Sequence, residues 1–385
     1  MFSSVFDEYQ ARVRETVSAA HTPSAGRTEE LLAKSAEQRL DLAELAELLE
    51  IGNDPAAESQ FQTLRTFVTG RFRNIGSNRL RYISPIYISS FCVDRCGYCN
   101  FSAARQTAER KRLTIEGLEE EVAAVMEAGP RVIELVLATD PEYPWPVLVK
   151  YVEKTKELLK GEPGSAVLLC SDYLPLEGYK ALHEAGLWGM VQWDETLEPD
   201  VYERWHSTSP RKRNFRERID NHDRAMAAGI EVASSALLGL ADYRYEVLMQ
   251  IAKTRHLESE YGRPPFTAGT PRLKPIGGKE LHLTTEVTDR AYETVLMVHK
   301  IANPRGGRWL QTRETFTMNT RNALHDDVFT YRCGEVRPGG YKISLPKERA
   351  EAGGQFGVND LTQGTVEQEL NALGFHIDYA WVGRS

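Results

Sequence analysis

Strand-like and helix-like segments alternate along residues 81–330, and this alternation predicts an α/β protein organised as a (β/α)8 TIM-type barrel, closed or slightly open. Three observations carry that reading. Short runs rich in Val, Ile, Leu and aromatic residues recur through this stretch, and amphipathic helical patterns separate them. The same helix stop, Ala-Gly, precedes three of the runs, at Ala128-Gly129, Ala185-Gly186 and Ala228-Gly229. Strand–helix alternation of this kind implies a parallel sheet with right-handed crossovers, and such sheets gather their chemistry at the carboxyl ends of the strands.

The elements follow in order. Residues 1–80 read as a polar helical extension, in which Leu40, Leu42, Leu45, Leu48 and Leu49 recur at helical spacing. Residues 82–89 read as the first strand, although Pro85 within it has no N–H to give a ladder. Thr114 is an N-cap, and Ile115, Leu118, Val122 and Val125 form the apolar stripe of the helix behind it. Further strands are predicted at 132–138, 166–170, 187–193, 230–238, 266–273 and 308–312, with a helix over 285–301. Residues 331–385 form an extension that is expected to close the barrel. It is Gly-rich and irregular at first, then helical over 365–373, and ends in a short apolar tail.

Composition bounds the function. With 41% apolar and 26% charged residues, the 385-residue chain is ordinary for a soluble globular protein. A net charge of −8 argues against general nucleic-acid binding and against an anionic membrane surface. No apolar run reaches the roughly 18 residues of a membrane span, and the first ten residues have no signal-peptide core, so the cytoplasm is the expected compartment.

Chemistry concentrates in one loop. Cys92, Cys96 and Cys99 follow the first strand with C-x3-C-x2-C spacing. Three thiolates this close can hold a [4Fe–4S] cube and leave one iron open. Gly97 and Tyr98 suit a tight loop packed on such a cluster. Two other readings compete. A zinc site needs four ligands, usually as two cysteine pairs, and here a distant His222 or Cys333 would have to serve. The three could also be ordinary buried cysteines. Cys170 reads as a small core residue, and His206, His222, His256 and His325 as structural.

The loop, C-x3-C-x-aromatic-C after the first barrel strand, resembles that of the radical S-adenosylmethionine (SAM) superfamily. Within it the chain resembles the aromatic amino-acid lyases: the 2-iminoacetate synthase of thiamine synthesis, the tyrosine lyase of [FeFe]-hydrogenase maturation and the tryptophan lyase of nosiheptide synthesis. The resemblance covers residues 80–375. It is carried by Pro85-Ile-Tyr87-Ile-Ser89, the cysteine loop, Gln192-Trp-Asp-Glu195-Thr, Pro271-Arg272-Leu-Lys-Pro275, Gln311-Thr-Arg313-Glu314 and Pro338-Gly-Gly-Tyr341.

The resemblance implies a [4Fe–4S] cluster on Cys92, Cys96 and Cys99, with SAM on the open iron. It implies SAM contacts from Tyr98, Asp140, Glu195 and Arg218, and substrate contacts from Tyr87, Arg272 and Arg313. Asp140 stands where the family commonly ends a segment in Gly-Glu, and Arg272 reads equally as a structural ion-pair residue. The implied reaction is Cα–Cβ scission of L-tyrosine to p-cresol and 2-iminoacetate; the alternative is fragmentation or carbon-skeleton rearrangement of L-tryptophan or another amino acid in a specialised pathway, and the zinc reading would instead make the chain a zinc-stabilised binding protein. The implied partners are a flavodoxin or ferredoxin reductant and a thiazole-synthase-type protein. Beyond residue 170 only Cys333 remains, so a second cysteine-held cluster is not expected. Residues 321–337 also differ from the serine- and glycine-rich version usual in 2-iminoacetate synthases.

Overall fold

Among the described residues ten strands form one sheet: β1 (Asn78–Arg81), β2 (Ser84–Ser89), β3 (Val132–Leu137), β4 (Ala166–Cys170), β5 (Leu187–Glu195), β6 (Glu231–Ala236), β7 (Thr267–Gly269), β8 (Gly307–Leu310), β9 (Val328–Phe329) and β10 (Phe375–Asp378). The computed structural model describes residues 1–73, 78–105, 110–274, 285–330, 337–341, 355 and 363–383, so Pro275 and Cys333 lie outside the described residues. The order is β10-β1-β9-β8-β7-β6-β5-β4-β3-β2, and every pairing is parallel. From β2 to β9 each strand lies beside the next in sequence. β1 departs from this rule, since it pairs with β9 and β10 at the far edge. Only Tyr82 and Ile83 separate β1 from β2, and that chain spans at most roughly 11 Å. The sheet therefore curls until its ends approach.

The seven predicted strands correspond to β2–β8. Pro85 is tolerated because β3 is the one strand paired with β2 among the described residues, and the other side of β2 meets residues 111–113 only near its end, at Ile88 and Ser89. Thr114 caps the helix Ile115–Glu127 by accepting from Gly117 N. Gly129, Gly186 and Gly229 all take left-handed φ, at 112°, 98° and 87°, so the repeated Ala-Gly stop is one C-cap used three times. Three strands escaped the sequence reading: β1, β9 and β10.

The N-terminal residues form the helices Phe6–Ala19, Ala25–Glu37, Leu42–Asn53 and Glu58–Phe72. Asp41 and Glu44 make a capping box on the third, and its buried Leu45, Leu48 and Leu49 join a core shared with Tyr292 and Val295 of the helix Asp289–Ala302. Gly52 permits that approach: a Cβ there would stand 2.9 Å from the Ala291 Cα. Inside the curl, Ile83, Val132, Leu168, Val191, Ala233 and Val328 pack with Trp309 and Trp381. These residues come from the amino-terminal halves of several strands and fill that end of the barrel. Trp381 donates its Nε1–H to the Tyr82 carbonyl at 2.9 Å and packs edge-on against Trp188.

Asp223, on the helix Asn221–Ala227, ties the first residues to the barrel. It accepts from Phe2 N at 3.0 Å and lies 2.9 Å from His256 Nε2. Burial favours its protonated form, but His256 and the Phe2 amide outweigh this and bring the carboxyl down to about 2. A depressed folded-state value stabilises the fold above the unfolded value of about 3.9 and loses that effect as pH falls toward 2. Wild type should therefore lose about 2 kcal/mol more between pH 5 and pH 2 than Asp223→Asn does, measured by urea unfolding. Parallel pH dependence in the two proteins would remove Asp223 from this role.

Candidate active site

The cysteine loop starts where β2 ends, at the carboxyl edge of the sheet, and hydrogen bonds hold it from two sides. Val93 N donates to the Thr139 carbonyl at 3.0 Å, just past β3. Asp94 Oδ1 accepts from Arg211 N at 3.0 Å and Lys212 N at 3.2 Å, while Arg95 N donates to Ser209 Oγ at 3.0 Å. Gly97 is needed here, since a Cβ would meet the Trp205 ring at 2.9 Å. Arg110 closes the loop by donating to the Ser90 and Ser102 carbonyls, each at 2.8 Å.

The three cysteines are free thiols within this clamp. Burial pushes Cys92 up to about 11 and Cys96 up to about 12. Thiols so buried ionise only beside strong positive charge, and coordination to iron supplies it. Among the described residues no three His, Cys, Asp or Glu side chains are arranged to share one metal ion. A cube makes no such demand, because each cysteine takes a different iron. The donor set, three sulfurs on a loop tied down by backbone bonds, fits a [4Fe–4S] cluster.

Cys99 lines a cavity of about 130 Å³ that runs down into the barrel. Around its mouth stand Tyr98, Glu195, Lys212 and Arg313. Glu195 ends β5 in a left-handed backbone conformation, φ 70°, where the β5–β6 register slips. A glutamate adopts that conformation at a cost of order 1 kcal/mol, and here it accompanies a carboxylate turned onto the cavity wall. Burial favours the neutral form of Glu195, but Lys212, hydrogen-bonded to it, and Arg218 at 3.6 Å outweigh this and keep it ionised. Arg313 is half-buried, desolvation lowers its proton affinity, and it faces Cys99, Tyr87 and Glu195 electrostatically. A guanidinium remains charged even so.

Two tyrosines complete the upper wall. Tyr87 OH donates to Gln355 Oε1 at 2.9 Å, and Gln355 Nε2 reaches the Cys99 sulfur at 3.8 Å. Tyr98 OH lies 2.6 Å from His206 Nε2, and His206 Nδ1 lies 2.8 Å from the Tyr202 carbonyl. Burial pushes His206 down to about 4, so it is neutral. A carbonyl only accepts, so Nδ1 carries the proton and Nε2 accepts from Tyr98.

Several expected contacts fall elsewhere. Asp140 does not line the cavity. Its carboxylate accepts from Ser89 Oγ at 2.5 Å, Arg112 Nε at 2.7 Å, Arg112 Nη2 at 2.8 Å and Glu142 N at 3.1 Å. That leaves little acceptor capacity for a ligand, and the residue braces the loop between β2 and β3. Arg218 is also off the cavity: its fork spans the Trp193 carbonyl at 2.6 Å and Asp172 at 3.1 Å. Arg272 resolves to the ion-pair reading, because it chelates Glu314 and also reaches Asp289 at 2.8 Å. His222 and His256 are held within the core by Ala233 and Asp223, as structural histidines are.

Lys212 was not foreseen as a site residue. It sits in Pro210-Arg-Lys-Arg, which reads as a solvated basic run, and only the bond from its N–H to Asp94 reveals that the chain turns it inward. Glu134 was also missed, inside a run that looked apolar, yet it lines the cavity.

Comparison with known proteins agrees with this geometry. The model of the radical SAM superfamily matches residues 86–254. The chain is 26% identical over 297 residues to the 2-iminoacetate synthase of Escherichia coli K12, covering 76% of each. It is 24% identical over 342 residues to the enzyme of the same name from Salmonella typhimurium LT2, covering 86% of each. The [FeFe]-hydrogenase maturase HydG from Carboxydothermus hydrogenoformans superposes with a TM-score of 0.84 at 25% identity, over 98% of this chain and 85% of that one. With three thiols clamped at the carboxyl edge of a parallel barrel, above a cavity ringed by charge, residues 86–254 are a radical SAM domain, and its cofactors are a [4Fe–4S] cluster and S-adenosylmethionine.

Proposed function

We propose that this protein is a radical SAM carbon–carbon lyase that cleaves a free aromatic amino acid, with L-tyrosine giving p-cresol and 2-iminoacetate. One observation carries the reading. Arg313 stands half-buried in the wall of the same cavity that Cys99 and Tyr98 line, so a charged fork for a carboxylate stands beside the metal-binding loop. The two products together have the composition of tyrosine, because the hydrogen atom lost to 5′-deoxyadenosine is replaced by one electron from the reductant and one proton when the cresol fragment is released.

Cys92, Cys96 and Cys99 would hold three irons of the cluster. When bound, the cluster and SAM supply a 5′-deoxyadenosyl radical that takes one hydrogen atom from the substrate. The chain's own residues bind and orient. Arg313 takes the amino acid's carboxylate, and the Tyr87 hydroxyl beside Gln355 faces its amino end. Glu195, held ionised by Lys212 and Arg218, offers an acceptor for the SAM ammonium group. The Tyr98 ring packs against the cluster side, fixed by His206. Arg218 acts through Glu195 and the Trp193 carbonyl and not on SAM directly. Trp193, Trp309 and Val136 line the lower cavity and keep water from the substrate's ring.

The reaction needs a low-potential reductant, and flavodoxin or ferredoxin fits that need. A thiazole-synthase-type protein fits as the consumer of 2-iminoacetate, which hydrolyses if released to water. The reading places the protein in the cytoplasm. Among the described residues no helix is long and apolar enough to cross a membrane.

Anaerobic reconstitution with SAM, dithionite and tyrosine should yield 5′-deoxyadenosine and p-cresol in similar amounts. A parallel assay with tryptophan decides between the two substrates. SAM cleavage that ignores every aromatic amino acid would refute the lyase.

A further inference from the structure

Glu134 is the third of six residues in β3, and β3 lies between β2 and β4 in the sheet. Its neighbours two residues away on the same face, Val132 and Val136, belong to the layer filling the barrel's amino end and to the cluster around Tyr87. Glu134 thus sits one step above the floor and roughly 6.6 Å below the level of Val136, whose register partner is Cys170. It lines the cavity and is 95% buried by its 5% exposure.

A buried carboxyl normally has a cation or several N–H donors. The Cys170 thiol is the group that the structure places within hydrogen-bonding reach of Glu134, and no Lys, Arg or His among the described residues pairs with it. Burial pushes it up to about 8, so it is a neutral acid at pH 7. The other charged lining residues, Glu195, Lys212 and Arg313, belong to the carboxyl-end loops or strand termini near the cysteine loop. The cavity therefore has two ends of different character. One is ionic and lies beside the thiols; the other is mostly apolar, with the uncharged Glu134 carboxyl and the Thr330 hydroxyl, which is bonded to Trp309.

Resting on the lyase reading, we propose that Glu134 determines substrate specificity, its carboxyl oxygen accepting a hydrogen bond from the polar edge of the substrate's aromatic ring, a phenol O–H or an indole N–H. With the amino acid's carboxylate on Arg313, the side chain points down the barrel, and the ring's far edge meets β3. An aromatic amino acid without such a donor leaves the carboxyl dry and unpaired, a penalty that corresponds to about 10- to 100-fold in affinity. Glu134 takes no part in holding the cluster.

Equilibrium dialysis of the anaerobically reconstituted protein with SAM, without reductant, tests this with L-tyrosine, L-tryptophan, L-phenylalanine and O-methyl-L-tyrosine. Wild type should bind tyrosine or tryptophan at least about tenfold more tightly than phenylalanine, and which of the two it prefers tells phenol from indole. Glu134→Leu should abolish the preference by weakening the donor-bearing ligand while phenylalanine changes by less than about threefold. Glu134→Gln keeps an acceptor and should retain most of the preference. Equal losses for phenylalanine and the preferred ligand in E134L would overturn the proposal. So would wild type binding O-methyl-L-tyrosine as tightly as a preferred tyrosine, a measurement that needs no variant to fold. Wild type binding all four without discrimination overturns this proposal alone; failure to bind any of them overturns the lyase reading and the proposal with it.

Discussion

Alanine at any one of Cys92, Cys96 or Cys99 should take the anaerobically reconstituted protein from roughly four irons per chain to near none, with loss of its brown absorbance near 400 nm. One substitution suffices because the cube has only three protein ligands, and two thiolates do not retain it. The fold should survive. The loop is tied by Val93 to Thr139, by Asp94 to Arg211 and Lys212, and by Arg95 to Ser209, none of which uses a sulfur. Circular dichroism and the unfolding midpoint should stay near wild type while metal disappears. Cys170→Ala is the control. Cys170 ends β4 on the cavity wall beside Glu134 and is not part of the loop, and its loss should leave iron content unchanged. Full iron in Cys96→Ala, or bound zinc with no iron in wild type, would end the cluster assignment.

Replacement of Arg313 should be the most damaging change that spares the metal. Arg313→Gln removes a guanidinium from the cavity wall, and substrate affinity should fall about 100- to 1,000-fold. Arg313→Lys keeps the charge but not the fork, and a loss of about tenfold or more is expected. Iron content and the cluster spectrum should match wild type in both. Arg272→Lys separates a binding defect from a general one. Arg272 chelates Glu314 and reaches Asp289, off the cavity, so its loss should lower stability and leave substrate affinity near wild type. If Arg313→Gln binds substrate normally, the carboxylate site lies elsewhere.

Much of the architecture is written in local pattern. β2–β8 are buried parallel strands whose apolar runs stand out from the helices between them, and their C-caps repeat at Gly129, Gly186 and Gly229. β1, β9 and β10 lack that signature. β1 is Asn-Arg-Leu-Arg with only alternate residues buried, β9 has two residues, and β10 alternates Phe375 and Ile377 with His376 and Asp378. A strand with one wet face, or one too short to show a period, resembles loop until its partner is known.

The site divides the same way. Cys92, Cys96 and Cys99 lie close together in sequence, so covalent proximity alone announced them, whereas Arg313 was expected from the family resemblance of Gln311-Thr-Arg313-Glu314. The parts played by Asp140, Arg218 and Arg272 depend on partners 28, 25 and 42 residues away, Arg112, Trp193 and Glu314. Glu134 owes its place in the cavity to where the curled sheet turns it, and Lys212 to the turn whose N–H binds Asp94, each against the composition around it. Sequence by itself determined the metal chemistry and the barrel, because both rest on short repeats of residue type. Only the tertiary structure decided which charges face a ligand and which are satisfied by one another, because an ionic group's role depends on its nearest partner in space and on how much water burial removes.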